Sequence, residues 1–216
     1  MQQQALNYTK AGAAAAFSIC ALVLLYDVVT VCGFFSLASA DAPIADPYFL
    51  LMELLTIGIS LLLVALFRAI HHSVPAQCKK QSLAALVFMI LMAVTTSVVH
   101  LTILTYGRMI DAEKSQELSW LLSFTWPSVA YALDILAWDV FFPLAMLFAA
   151  VLLWKGSQRE RRISLIMTAS AVLSLLGLPG IPLNNMQVRN IGIIGYALVS
   201  PFAFLLLGIH FKKSRA

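Results

Sequence analysis

Residues 47–70 read PYFLLMELLTIGISLLLVALFRAI. Only Glu53 and Arg68 are charged in this run, which exceeds the about 20 helical residues needed to cross a hydrocarbon core about 30 Å thick. It is therefore a membrane span, and the rest of the chain repeats its pattern. Comparable apolar runs extend over 11–40, 82–106, 128–154, 163–178 and 191–211. The sequence thus predicts an all-α transmembrane bundle of six helices, with residues 1–216 forming a single transmembrane domain.

Composition agrees with the spans. Charged residues make up 11% of the 216 and apolar residues 61%, against about 25% charged in a typical soluble domain. That balance excludes a secreted disulfide scaffold, a nucleic-acid module and a disordered tail. The net charge of +4 lies in short connecting segments and is no nucleic-acid signal.

Orientation follows from the basic residues. With the amino terminus inside, Lys10, Arg68, Lys79, Lys80, Lys155, Arg159, Arg161, Arg162, Lys212, Lys213 and Arg215 are cytoplasmic, 11 of the 14 Lys and Arg. Arg108, Lys114 and Arg189 remain outside, as do Asp41, Asp46, Asp111, Glu113 and Glu117. Both termini are expected in the cytoplasm, in a cell membrane of the bacterial inner-membrane kind. The segment from Lys114 to Trp126, with Trp120 and Trp126 among serines and ending at Pro127, reads as a short interfacial helix before the fourth span. Ala38, Ser39 and Ala40 have the form of a signal-peptidase site, but the apolar run before them is longer than the usual signal core and contains Asp27, so the first span is expected to stay.

Motifs of the common soluble enzymes are missing. There is no CxxC, Walker loop, GxGxxG, HExxH or GxSxG, and nothing calls for a cofactor. Cys20 and Cys32 lie about 18 Å apart along one helix, too far for a disulfide. No internal repeat with shared polar landmarks marks an inverted-repeat transporter.

The informative residues are the ionisable ones inside spans, because a charge left in hydrocarbon costs at least about 2.5 kcal/mol. They are Asp27, Glu53, His100, Asp134 and Asp139. At 1.5 Å per helical residue, Glu53, His100 and Asp134 each fall about 10 Å below the outer surface, and Asp27 falls in the same half. Asp139 lies nearer the midplane and about 140° around the helix from Asp134. Helical spacing extends these positions into polar faces: Glu53 with Thr56 and Ser60, Thr96 with His100, Asp27 with Thr30, Asp134 with Tyr131 and Trp138, and Tyr196 with Gly192 and Ser200. These faces predict an outward-facing polar pocket lined by Asp27, Glu53, His100 and Asp134. Tyr196 contributes to it, and Arg189 stands near its mouth.

Each residue also has a plainer role. His100 alone could join two helices, Glu53 could be a solvated helix-end acid, and Asp139 could serve backbone groups freed by Pro143. Ser164, Thr168, Ser170 and Ser174 suit helix packing. The shared depth, which no single residue supplies, favours a site.

A metal held by His100, Asp134 and Glu53 is chemically conceivable, but only one histidine lies in the interior. Proton and cation handling fits better. Burial disfavours the charged form of an acid, and a neighbouring carboxylate favours a protonated imidazole, so the group could exchange protons near neutral pH. The sequence points to proton-linked transport or sensing of a small, cationic solute. The alternatives are a non-catalytic membrane subunit with a protein partner or as a homo-oligomer, and a lipid-active enzyme that lacks a visible nucleophile. The bilayer itself is the one partner that every reading requires.

Overall fold

The computed structural model describes residues 2–39, 42–109 and 118–213. The junction after Ala40, residues Asp41, Asp111, Glu113, Lys114, Glu117 and Arg215, and the side chain of Arg108 lie outside the described residues. Seven helices concern us: α1 (Gln2–Phe35), α2 (Tyr48–Ser73), α3 (Lys79–Met109), the single turn α4 (Ser119–Leu122), α5 (Val129–Trp154), α6 (Gln158–Leu176) and α7 (Met186–Lys213). Among the described residues there is no strand, and six helices are long and apolar enough to cross a membrane. The protein is an all-α, multi-pass membrane protein.

The six long helices pack in sequence order, α1 on α2, α2 on α3, α3 on α5, α5 on α6 and α6 on α7, and α7 returns to α1. The bundle therefore closes on itself. Large apolar side chains point outward on every long helix, among them Val28, Leu61, Val94, Val151, Leu165 and Phe202, because lipid replaces water as the surrounding solvent. Lipid tails are as apolar as leucine, so association depends on close packing and interhelical hydrogen bonds. Ala145, Ala149 and Ala150 are buried on α5, and Ser164 at the start of α6 donates its hydroxyl to the Ala150 carbonyl at 2.7 Å. Ser170 of α6 donates to the Gly195 carbonyl of α7 at 2.8 Å. Two of the four α6 hydroxyls in the sequence reading thus tie helices together.

The early turns of α1, the end of α2 and the end of α7 lie at one end of the bundle. Tyr8 of α1 stacks on His72 at the end of α2, with ring centroids 3.8 Å apart, and Gly12 faces Ala69 and Phe211. There Lys79 donates its ammonium to the carbonyls of His71 and His72, closing the C-terminus of α2. The sharp α5–α6 connection ends in a capping box: Ser157 Oγ accepts from the Glu160 amide while the Glu160 carboxylate accepts from the Ser157 amide at 2.7 Å. An S157A variant is expected to lose about 1 kcal/mol of stability, read as a lower midpoint in chemical unfolding of the detergent-solubilised protein, and an unchanged midpoint would show that the cap contributes nothing.

Three features depart from the sequence reading. Helix over 114–126 is confined, among the described residues, to the one turn Ser119–Leu122, after which Ser128 caps the start of α5 by accepting from the Tyr131 amide at 3.1 Å. The sixth span begins earlier than 191, because Asn185 accepts from the amides of Gln187 and Val188 and starts a helical turn over Met186–Arg189. Finally, α5 and α7 each contain a wide π-helical turn, over Leu136–Phe141 and Ile194–Val199. Such turns re-aim side chains and concentrate at functional sites.

Candidate functional site

The opposite end of the bundle holds a partly open cavity of about 530 Å³. Its walls come from the last part of α1, the first half of α2, the end of α3 and the starts of α5 and α7, with Pro43 and Ile44 and the segment at Phe124 and Thr125 completing it. This volume lies within the range of small-molecule sites. Six aromatic side chains, Tyr26, Phe49, Phe124, Tyr131, Trp138 and Tyr196, form much of the wall.

His100 is the polar centre. Its Nδ1 stands 2.7 Å from Glu53 Oε2 of α2, and its Nε2 stands 3.2 Å from Asp134 Oδ1 of α5. All three residues are buried, and all three line the cavity. Phe124 packs against the imidazole with centroids 5.5 Å apart and touches Tyr131 edge-on.

Proton counting follows from this geometry. A neutral imidazole has one N–H and one acceptor nitrogen, so two hydrogen bonds to carboxyl groups need a second proton. Either the ring is an imidazolium between two carboxylates, or it is neutral and one acid carries the proton. Both forms hold two protons and a net charge of minus one.

A second ion pair lies beside the first. Arg189 Nη2 of α7 donates to Asp139 Oδ2 of α5 at 3.0 Å, and both side chains are buried, at 3% and 0% relative exposure. The guanidinium also sits over the Tyr131 ring, 5.3 Å from its centroid. Asp139 comes from the π turn of α5, and the π turn of α7 follows just after Arg189 and carries Tyr196, whose ring packs 5.3 Å from Trp138. Asp139 Oδ1 presses so close to Gly192 that a Cβ there would stand 2.0 Å from it, which restricts position 192 to glycine while the pair is intact.

Nothing matches the chain among protein-family models, curated proteins or solved structures.

Of the residues expected to form the pocket, Glu53, His100, Asp134, Arg189 and Tyr196 line one cavity, and Asp139 lies directly behind Arg189. Asp27 does not line it. Tyr26 and Val23, on the neighbouring stripe of α1, face the cavity instead. Thr30, paired with Asp27 by spacing, turns its hydroxyl back to the Tyr26 carbonyl at 2.8 Å. Arg189 is not a rim residue, because the extra turn over Met186–Arg189 draws it inward to Asp139.

A metal held by His100, Asp134 and Glu53 does not fit the geometry. The two carboxylates approach opposite nitrogens of one ring, so the three donors cannot converge on a common point. Among the described residues no group of three or more His, Cys, Asp or Glu is placed to hold a metal ion.

The hydroxyls of the expected polar faces mostly serve their own helices. Thr56 donates to the Met52 carbonyl and Ser60 to Ile57, while Ser200 donates to Tyr196. Before α5, Trp126 Nε1 donates to Asn184 Oδ1 at 3.1 Å, and Asn184 adopts the left-handed region at φ 46° that asparagine tolerates. Sequence reasoning missed Tyr26, Phe49 and Phe124; the first two lie on the same helices as Asp27 and Glu53, but an aromatic residue in a span carries no signal of its own.

Proposed function

We propose that the cavity takes a small cationic solute in exchange for a proton, and that the protein uses this exchange for transport or sensing across the membrane. The single observation that supports the reading is the imidazole of His100 clamped between two buried carboxyl groups in an aromatic-walled cavity.

Charge balance provides the logic. With two protons the Glu53–His100–Asp134 group carries minus one, and the Asp139–Arg189 pair adds nothing. A buried site is most stable near neutrality. It reaches neutrality by holding a third proton, or by holding two protons and one monovalent cation. Proton and cation thus compete for one charge deficit, and the aromatic wall that includes Phe124 and Trp138 suits an organic cation. If the termini are cytoplasmic, as the basic residues suggest, the cavity faces outward.

The test uses purified protein in vesicles under an imposed pH gradient, with radiolabelled tetramethylammonium and choline, which are permanently charged and do not cross lipid unaided. The wild type is expected to move one or both in response to the gradient. D134N and H100A are expected to lower that flux at least about tenfold, equivalent to about 1.4 kcal/mol. Equal flux in the wild type and both variants would rule out this pocket.

A further inference from the structure

Arg189 is bound more loosely than a buried arginine should be. Its guanidinium has five N–H donors, and among the described residues it makes one hydrogen bond, from Nη2 to Asp139 Oδ2. Nε is buried with no protein partner among the described residues, and so is Asp139 Oδ1. A fork-to-fork arginine–carboxylate pair would satisfy two donors and both oxygens at once. Here Oδ1 is turned against Gly192, so the pair stays one-legged. A buried donor left unmatched costs about 1–3 kcal/mol, more when charged. Because Arg189 also lines the cavity, an acceptor brought by a solute would meet that demand.

We propose that Arg189 is an anion-recognising group of this cavity, so that the solute is a zwitterion whose cationic end meets the Glu53–His100–Asp134 group and whose carboxylate meets Arg189. The assignment rests on the cationic-solute reading above. It narrows the substrate class to amino acids and small betaines, held at two points inside about 530 Å³. It also changes the proton balance. A simple cation displaces a proton to keep the site neutral, whereas a zwitterion brings its own counter-charge and displaces none, so the proton stays bound beside it and the proton linkage becomes joint binding in place of exchange.

The experiment compares ligand pairs that differ only by the carboxylate: phenethylamine with phenylalanine, and tetramethylammonium with glycine betaine. Binding to the full-length protein in detergent is followed by calorimetry, and protons released are counted in weak buffer. In the wild type, one or both zwitterions are expected to bind about tenfold or more tighter than the matching cation, without proton release. R189Q is expected to remove that preference. D139N, which removes the competing carboxylate charge, is expected to strengthen zwitterion binding. Because R189Q leaves Asp139 buried and unpaired, R189Q/D139N serves as the charge-balanced version and is expected to lose the preference as R189Q does.

Equal affinity within both pairs in the wild type, or a preference that survives R189Q/D139N, overturns the assignment to Arg189 and leaves the cationic-solute reading standing. Failure of all four compounds to bind overturns both.

Discussion

An H100A protein is expected to be about 3–5 kcal/mol less stable than the wild type, because the substitution leaves two buried carboxyl groups without the partner that lies between them. Charge and shape can be separated. Replacing the ring by a methyl group also opens a cavity, but the loss from unpaired acids is repaired by removing the acids. The triple variant E53Q/H100A/D134N is therefore expected to recover most of the lost stability, measured by chemical unfolding in detergent at neutral pH. If the triple variant is as unstable as H100A, the cost comes from lost packing around Phe124 and not from charge.

The second large effect is expected at Gly195. A Cβ there would stand 2.4 Å from the Ser170 carbonyl oxygen and 2.7 Å from the Ser174 amide nitrogen, both backbone atoms of α6. Side-chain rotation cannot relieve such a contact, so G195A must push α7 away from α6 and stretch the Ser170–Gly195 hydrogen bond. Overpacking of this kind costs about 1–3 kcal/mol, and here it also displaces the π turn that carries Tyr196. G58A is the matched control. Nothing lies within 4 Å of a Cβ at that position, and alanine is the better helix former, so this variant is expected to be at least as stable as the wild type. Equal thermal midpoints for G195A and G58A would contradict the tight α6–α7 crossing.

The six spans were legible because a bilayer imposes a length and a polarity that few other constraints can imitate. The depth of the site was legible for the same reason. Glu53, His100 and Asp134 lie on three helices and were matched only by their distance from the outer ends, and the structure joins them through one ring. Depth gives no information about rotation. Asp27 has a suitable depth but lies about 100° around α1 from Tyr26, and one residue decides which of them faces the cavity.

Local geometry limited the rest. An angle of about 140° between Asp134 and Asp139 assumes an unbroken α-helix, and the π turn over Leu136–Phe141 intervenes. Both acids turn inward, one to His100 and one to Arg189. Nothing in the composition of Leu136–Phe141 announces that turn. The inward place of Arg189 had a readable signal in Asn185, an N-cap residue type four positions upstream. Read as a cap, it would have moved the start of the sixth span and taken Arg189 off the rim.

In the proposed exchange, one negative charge shared by Glu53, His100 and Asp134 is neutralised either by a proton or by a cation. Tetramethylammonium has no titratable group, so any proton released on its binding comes from the protein. Titrated into the wild type in weak buffer near neutral pH, it is expected to release up to about one proton per site, and an E53Q/D134N protein is expected to release none. Binding with no proton release across the range from pH 5 to 9, or equal release from E53Q/D134N, would contradict the exchange.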